Sequence, residues 1–218
     1  MKVGTDGVLL GAWATVKGCC NLLDVGTGSG LIALMLAQRN SNAVVTAIDI
    51  DEAACCQAID NVKASPFAER VSVVQAAFQQ FAGEAPNRYD LIVSNPPFFT
   101  RSLLPPDAVR ADARHSVSLS LDALLQGAER CLSPKGHLAM ILPSDRLTEL
   151  VALSKAAGFA LRRLTRVVTA PGKPVRRILV EFTKQPGGLE ESELLIEEKR
   201  HHYSPQFTRL VADFYLDR

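Results

Sequence analysis

The length, composition and charge of the chain exclude several classes of protein. With 218 residues, of which 47% are hydrophobic and 22% charged, the chain can bury a sizeable core and suits one α/β domain, or a domain with a small appendage. No apolar run approaches the roughly 20 residues that a membrane-spanning helix needs. A net charge of +1 is not typical of a protein that binds polyanions over its whole surface.

The N-terminal segment and the cysteines indicate a cytoplasmic protein. MKVGTDGVLLGAW has one early lysine and a short apolar patch but no small-residue cleavage site, so we do not interpret it as a signal peptide. We expect Trp13 to pack in the core. The five cysteines lack a C-x-x-C spacing, which argues against a disulfide framework and against a zinc site. We expect them to be small buried thiols in a reducing compartment.

Apolar runs of strand length alternate with helical patterns along most of the chain. Continuous apolar strands separated by helices indicate a parallel sheet with helices on both faces. We expect Asp51 and Ser120 to cap the helices that follow them. The five predicted strands are Asn21–Val25, Val44–Asp49, Val71–Ala76, Tyr89–Ser94 and His137–Leu142.

The pattern changes after the fifth strand. Ala160–Thr169 and Arg176–Thr183 are two strand-like runs joined by a link rich in proline and glycine, which predicts an antiparallel pair at one end of the sheet. The sheet would then have seven strands. The remaining residues predict a short extended piece and a terminal helix.

Three glycines mark the turn after the first strand. In the run LLDVGTGSGLIAL, Asp24 precedes Gly26, Gly28 and Gly30. Glycine permits a positive φ and a close approach of the backbone to a ligand, and the following helix directs free N–H groups at that ligand. The dinucleotide fingerprint G-x-G-x-x-G needs a small residue at its sixth place, where this chain has Leu31. An acid before the first glycine would repel pyrophosphate but suits a cationic or neutral ligand.

An acid also ends the second predicted strand. Asp49 lies 19 residues after Gly30, where a carboxylate can accept hydrogen bonds from both hydroxyls of a ribose. The alternative is that Asp49 is a helix cap. An adenosine without pyrophosphate but with a positive centre describes S-adenosyl-L-methionine, so the two features together predict a site for that cofactor.

The fourth predicted strand ends in the rigid run SNPPFF. An exocyclic amine on an aromatic ring is a poor nucleophile because its lone pair is delocalised into the ring. The amide oxygen of Asn95 and the carbonyl of Pro96 could accept its two hydrogens and free that lone pair. Pro96 and Pro97 fix φ and so pre-position the acceptors, and Phe98 offers a face on which a base can stack. The alternative is a rigid turn with Phe98 and Phe99 packed in the core.

These motifs, in this order, resemble a class I methyltransferase. NPPF is similar to the [DNS]-P-P-[YFW] signature of enzymes that methylate planar nitrogens. The runs KVGTDGVLLGAW, ARHSVSLSLDALL and RRILVEF narrow the resemblance to the bacterial tRNA1(Val) (adenine(37)-N6)-methyltransferase family, over nearly the whole chain. The resemblance implies a Rossmann-like α/β fold in one methyltransferase domain over residues 1–218. Its seven-stranded, mainly parallel sheet would have helices on both faces and one antiparallel strand.

Two features depart from the pattern of that family. Its members usually carry further residues before the opening motif, including an F-x-F-K-Q-F run that this chain lacks. Relatives often have an acid before the aromatic residue after the third strand, to bind the amino group of the cofactor's adenine. Here the pair is Ala77 and Phe78, so we expect Phe78 to pack on the adenine without a side-chain acceptor beside it.

The resemblance also implies roles for individual residues. Thr5 and Asp6 could close over the methionine part of the cofactor or form a simple turn. The basic residues could contact RNA phosphates or be solvated charge; from Arg162 to Lys184 there are seven basic residues against one acid, which is compatible with a phosphate-contacting face. The predicted catalytic residues are Asn95, Pro96, Pro97 and Phe98. The predicted cofactor-binding residues are Thr5, Asp6, Asp24, Gly26, Thr27, Gly28, Gly30, Asp49, Ile50, Ala77, Phe78 and Asn95. The predicted RNA-binding residues are Arg110, Arg114, His115, Arg176 and Arg177.

The expected activity is methylation of the N6 of adenine in tRNA, with adenine 37 of tRNA1(Val) as the implied target. The cofactor would be S-adenosyl-L-methionine, the product S-adenosyl-L-homocysteine, and no metal is expected. We expect a cytoplasmic enzyme with a tRNA substrate, no membrane contact and no obligate protein partner. The alternatives are a glutamine-N5 protein methyltransferase, another rRNA or DNA amino methyltransferase, a nicotinamide-linked oxidoreductase, against which Leu31 argues, and an RNA-binding module that has lost catalysis.

Overall fold

Five parallel strands form the central part of the sheet, in the order β3-β2-β1-β4-β5. The computed structural model describes residues 4–96 and 119–215. β1, β2 and β4 begin and end where the sequence predicts, whereas β5 begins earlier, directly after a helix. These strands are β1 Asn21–Val25, β2 Val44–Asp49, β3 Val71–Gln75, β4 Tyr89–Ser94 and β5 Leu132–Pro143.

Three further strands extend the sheet to eight, in the order β5-β7-β6-β8. They are β6 Ala160–Val168, β7 Arg177–Thr183 and β8 Glu190–Leu195. β7 is antiparallel to both of its neighbours, and β8 is parallel to β6. The mainly parallel sheet with one antiparallel strand is therefore confirmed, but the predicted count of seven is one too low. β8 falls partly in the short extended piece predicted after the antiparallel pair. It was not counted in the sheet because it is an edge strand with mostly exposed, acidic residues, so it lacks the apolar run that identifies a buried strand.

Helices cover both faces of the sheet. The described residues include α1 Thr5–Trp13, α2 Leu31–Arg39, α3 Glu52–Lys63, α4 Phe78–Glu84, α5 Leu121–Cys131, α6 Leu147–Ala156 and α7 Pro205–Val211. The predicted caps are confirmed, since Asp51 accepts a hydrogen bond from Ala54 N at 2.8 Å and Ser120 from Ala123 N at 3.1 Å. Among these described helices, none combines the length and the hydropathy that crossing a bilayer requires.

Two hydrophobic cores lie on opposite faces of the sheet. Leu22 of β1 packs with α1, α2 and α7, whereas its neighbour Leu23 packs with α4 and α5, because successive side chains of a strand point to opposite faces. The N-terminal segment belongs to the first core as a helix. Gly11 lets α1 approach α2 closely, since a Cβ there would lie 2.7 Å from Met35 Sδ.

The cysteines are free thiols. Cys19, Cys55 and Cys131 are buried as predicted, but Cys20 and Cys56 are exposed. Among the residues that the structure describes, no group of three or more histidine, cysteine, aspartate or glutamate side chains is arranged to hold a metal ion.

Candidate active site

The carboxyl ends of β1, β2 and β4 meet at one edge of the sheet, where ligands bind in folds of this kind. Hydrogen bonds join these ends to one another. Gly26 N donates to Ile48 O at 2.9 Å, and the buried hydroxyl of Ser94 donates to Val25 O at 2.9 Å. The glycine loop (residues 26–30), the end of β2 and the Asn95 corner (Asn95 and Pro96) therefore hold fixed positions relative to one another.

The glycine loop adopts a backbone conformation that residues with a Cβ atom rarely adopt. Gly26, Gly28 and Gly30 have φ values of 73°, 58° and 81°, all in the left-handed region that glycine occupies without strain. A Cβ on Gly26 would meet no atom within 4 Å, so the requirement there comes from the backbone and not from crowding. The open space at Gly26 is what close approach of a ligand needs, whereas Gly30 packs against α3, since a Cβ there would lie 3.3 Å from Ala58 Cβ.

Asp24 is a buried carboxylate with one unpaired oxygen. Its side chain is fully buried, and Oδ2 accepts hydrogen bonds from Thr27 Oγ1 at 2.6 Å and from Ala33 N at 3.1 Å. Oδ1 has no hydrogen-bond partner within the described part of the chain. Burial raises the pKa of Asp24 from 3.8 to about 7, although the two hydrogen bonds oppose that rise. An orphaned buried carboxylate oxygen is costly to the fold, and a cationic or hydrogen-bond-donating ligand would relieve the cost.

Asp49 holds the glycine loop and retains capacity for a ligand. Its Oδ2 accepts from Gly28 N at 2.9 Å, and its Oδ1 accepts from Asp51 N at 3.0 Å. An ionised carboxylate offers about four acceptor positions, so two remain for ribose hydroxyls. The next residue, Ile50, is 52% exposed and offers an apolar surface beside this carboxylate. Together with the glycine loop and Asp24, these residues fit the adenosine and the cationic part of S-adenosyl-L-methionine.

Phe78 packs in the core, and the predicted contact of its ring with the adenine stays a prediction. Phe78 is 4% exposed, and a Cβ added to Gly127 of α5 would lie 2.4 Å from its ring. The ring thus fills the space that this glycine leaves open in the core. Ala77 is the N-cap of α4 and directly follows Ala76, whose N–H donates to Asp49 O at 2.9 Å. Ala77 therefore lies at the same edge as Asp49, and its cofactor contact stays a prediction.

Thr5 and Asp6 form the first turn of α1, so the alternative of a simple turn is wrong. Asp6 Oδ2 accepts a hydrogen bond from Arg177 Nε at 2.8 Å. Arg177 begins the antiparallel strand β7, which starts at the edge where the parallel strands end. A Cβ on Gly7 would lie 3.3 Å from Leu31 Cδ2, the first residue after the glycine loop. The start of α1 thus neighbours the predicted cofactor site, as its predicted role requires.

The predicted catalytic and RNA-binding residues fall partly outside the described ranges. Asn95 is half-buried and Pro96 is buried at the end of β4. Arg176 is exposed between β6 and β7. The predicted residues Pro97, Phe98, Arg110, Arg114 and His115 lie outside the described residues.

The basic stretch between Arg162 and Lys184 is partly neutralised by ion pairs within the chain. Arg163 is held over the Trp13 ring at 3.6 Å from its centroid and lies 3.6 Å from Glu181. Trp13 itself is 7% exposed and belongs to the first core, as predicted. The other ion pairs are Arg166–Glu191 at 2.6 Å, Arg177–Asp6 at 2.8 Å and Lys184–Glu129 at 3.4 Å. The local charge excess available to a phosphate is therefore smaller than the sequence count suggests.

Sequence reasoning missed Ser94 as a residue of the site. Its hydroxyl spans 69 positions of sequence to join β4 to β1. The only signal was its place directly before the Asn-Pro-Pro run, and a small buried polar residue at a strand end does not reveal its acceptor.

Comparison with known proteins identifies the family. The model of the family "Methyltransferase small domain" matches residues 8–158. A tRNA1(Val) (adenine(37)-N6)-methyltransferase of Parabacteroides distasonis is 46% identical over 99% of this chain and 91% of its own length. One of Tolumonas auensis is 44% identical over 99% and 90%. A crystal structure of a predicted O-methyltransferase from Agrobacterium tumefaciens shares the fold, with a TM-score of 0.76 and 20% identity over 94% of this chain and 95% of that one. The chain therefore belongs to the tRNA1(Val) (adenine(37)-N6)-methyltransferase family of class I enzymes that use S-adenosyl-L-methionine.

Proposed function

We propose that this chain transfers a methyl group from S-adenosyl-L-methionine to the N6 of adenine 37 in tRNA1(Val). The main structural support for this reaction is a pair of hydrogen bonds, from Ser94 Oγ to Val25 O and from Gly26 N to Ile48 O. They fix the Asn95 corner beside the glycine loop. The RNA and the nucleotide are supported by the names of relatives that are 42–46% identical over nearly their whole length. A tRNA substrate also places the expected activity in the cytoplasm.

The residues of the corner act on the amine that receives the methyl group. The side-chain oxygen of Asn95 and the backbone carbonyl of Pro96 accept the two N6 hydrogens, which draws the amine towards a pyramidal geometry and frees its lone pair. S-adenosyl-L-methionine, when bound, supplies a methyl carbon attached to a positively charged sulfur. The cofactor would leave as S-adenosyl-L-homocysteine once N6 has accepted the methyl group, and the surplus proton of N6 would leave to water.

Positioning is the main contribution of the protein to this reaction. The ring of Pro96 restricts its φ, and the following proline restricts the ψ that orients the Pro96 carbonyl, so this carbonyl has few directions open to it. Ser94 ties the end of β4 to Val25, the residue that precedes the glycine loop. The acceptors for the amine and the loop that would hold the methyl donor are therefore parts of one rigid edge.

The test is mass analysis of nucleosides from tRNA incubated with the protein and the cofactor. The substrate is an unmodified transcript of tRNA1(Val), and the matched control is the same transcript with guanine at position 37. The expected result is N6-methyladenosine in the first transcript and none in the second. In a parallel incubation with isotope-labelled cofactor, tRNA and a release factor, label that enters only the release factor would instead support glutamine-N5 methylation. Methylation of the guanine-37 transcript would reject the proposed nucleotide.

A further inference from the structure

A small hairpin extends the edge of the sheet that carries the candidate active site. It consists of β9 Glu197–Lys199 and β10 His202–Tyr203, joined by Arg200 and His201. β6 and β8 both end at this edge, and the chain continues from β8 directly into the hairpin. Glu197 N donates to Thr169 O at 3.0 Å, so the hairpin is attached to the β6–β7 connection, residues 169–176.

The hairpin stands within reach of an RNA that is bound at Asn95. β8 lies four strand positions from β4 in the sheet, which at about 4.8 Å each corresponds to about 19 Å. This distance equals about six stacked nucleotides at about 3.4 Å each. The exposed residue Arg176 directly precedes β7, a strand that lies between β4 and β8 in the sheet. A single-stranded loop whose target base lies at Asn95 could span this distance across the β6–β7 connection and bring another unpaired base to the hairpin.

Two exposed tyrosines lie at the base of the hairpin, with their ring planes inclined by 48° to each other. Tyr203 is 52% exposed and Tyr215 is 37% exposed. The Tyr203 ring lies 4.8 Å from the ring of Phe207, which is 1% exposed, and 6.3 Å from the ring of Tyr215. Phe207 thus contacts Tyr203 from the core, and about half of the Tyr203 surface stays exposed to solvent. Aromatic rings held in this way are platforms on which nucleobases stack.

The tip of the hairpin presents side chains that suit phosphate groups. Lys199, Arg200, His201 and His202 are consecutive and exposed. His201 has a φ of 64°, in the left-handed region that residues other than glycine rarely adopt and that is often found at functional sites. Glu197 and Glu198 precede the tip, so the hairpin has no large net charge. RNA binding by the hairpin would therefore depend on stacking against Tyr203 together with contacts from individual cationic side chains.

We propose that a hairpin surface, made of Lys173, Arg176, residues 199–203 and Tyr215, docks the anticodon arm of the tRNA substrate outside the target nucleotide. Tyr203 stacks on an unpaired base, and Lys173, Arg176 and Arg200 contact phosphates. This proposal rests on the proposed function, because it assumes that the substrate is a tRNA. It assigns the hairpin a role in binding affinity and none in the chemical step.

The stacking contact is tested by two substitutions of Tyr203. Tyr203→Leu keeps an apolar contact with Phe207 but removes the flat ring, whereas Tyr203→Phe keeps the ring. Binding of unmodified tRNA1(Val) transcript is measured at equilibrium with S-adenosyl-L-homocysteine present, so no methylation is needed. We expect Tyr203→Leu to weaken tRNA binding about tenfold and Tyr203→Phe to change it less than twofold. Both variants should bind S-adenosyl-L-homocysteine in calorimetry as the wild type does.

The phosphate contact is tested by salt dependence. Arg200→Ala should reduce the slope of log affinity against log salt by about 0.7–0.9, the contribution of one phosphate contact. Lys17→Ala is the matched control, because Lys17 is exposed shortly before β1 and so near the opposite edge of the sheet. It should change neither the affinity nor the slope.

The outcomes separate this proposal from the proposed function. If the wild type forms N6-methyladenosine in tRNA but Tyr203→Leu binds tRNA within twofold of it, the hairpin surface is refuted and the proposed function stands. If the wild type leaves tRNA unmethylated while Tyr203→Leu still weakens tRNA binding tenfold, the proposed function fails and the docking surface is supported. A wild type that binds no tRNA overturns the docking surface as well.

Discussion

Replacement of Asp24 by asparagine should raise the stability of the protein relative to the parent as the pH rises towards neutral, while it weakens cofactor binding. Asp24 is fully buried, and one of its oxygens has no hydrogen-bond partner among the described residues. An asparagine can still accept the hydrogen bonds from Thr27 and Ala33, but it carries no charge. The substitution therefore removes the energetic cost of a buried, partly unsatisfied carboxylate.

The magnitude follows from the pKa of Asp24, which burial raises from 3.8 to about 7. Between these two values the folded protein holds the proton and the unfolded chain releases it, so the free energy of unfolding falls as the pH rises. Each pH unit in that window costs the parent about 1.4 kcal/mol. From pH 5 to pH 8, the stability of Asp24→Asn relative to the parent should therefore rise by about 3 kcal/mol. Any cost of the new buried amide cancels, because it is the same at both pH values.

The assay is urea denaturation of parent and variant at pH 5 and at pH 8. Asp60→Asn, an exposed position on α3, is the control for loss of one negative charge and should stay within about 0.5 kcal/mol of the parent at pH 8. Calorimetry with S-adenosyl-L-homocysteine should show at least tenfold weaker binding for Asp24→Asn. Equal differences between variant and parent at the two pH values would refute the argument that burial of an ionised Asp24 destabilises the fold.

Three further predictions address the corner and the core. Asn95→Ala should lower kcat at least tenfold with little change in cofactor affinity, because it removes one acceptor for the target amine; single-turnover methylation of tRNA measures this. Ser94→Ala should lower kcat several-fold and leave the KM for tRNA unchanged, since it frees the corner from Val25 without touching the RNA surface. Gly127→Ala should destabilise the protein by about 1–3 kcal/mol in urea denaturation, because the added methyl overlaps the Phe78 ring.

Matched substitutions give these predictions their controls. Asn95→Asp keeps an acceptor oxygen and should retain more activity than Asn95→Ala, and equal activity of the two would contradict the acceptor role. Ser94→Thr keeps the hydroxyl and should restore the rate that Ser94→Ala loses. Gly11→Ala should cost less than Gly127→Ala, because the added methyl meets the flexible end of Met35 and not a ring. The reverse order would show that the core around Phe78 yields more easily than its contacts indicate.

Asp24 also shows why the stability of this fold and its activity oppose each other. A sequence selected only for stability would place a neutral or apolar residue at a fully buried position of β1. The orphaned oxygen is costly in the absence of a ligand, and it is the kind of group that a cationic ligand satisfies. A stabilising variant that binds cofactor weakly is the expected consequence.

Much of the fold could be predicted because its signals are local. The runs of β1 and β4 are buried on both faces of the sheet and that of β2 largely so, so their bounds could be predicted from their apolar residues. The glycines of the loop and the prolines of the corner restrict the backbone wherever they occur. The acid-rich β8 had no such signal, and only its pairing with β6 makes it a strand.

Three local motifs were enough to predict the family and the reaction expected of it: a glycine loop, an acid at the end of β2 and an asparagine–proline corner, in that order. Tertiary structure alone decided how these parts are held. In the folded protein, the ring of Phe78 packs in the core and the N-terminal segment packs as a helix against α2. Ser94 donates a hydrogen bond to Val25. Each outcome depends on a contact between residues far apart in the chain, and local periodicity carries no information about the direction in which such a partner lies.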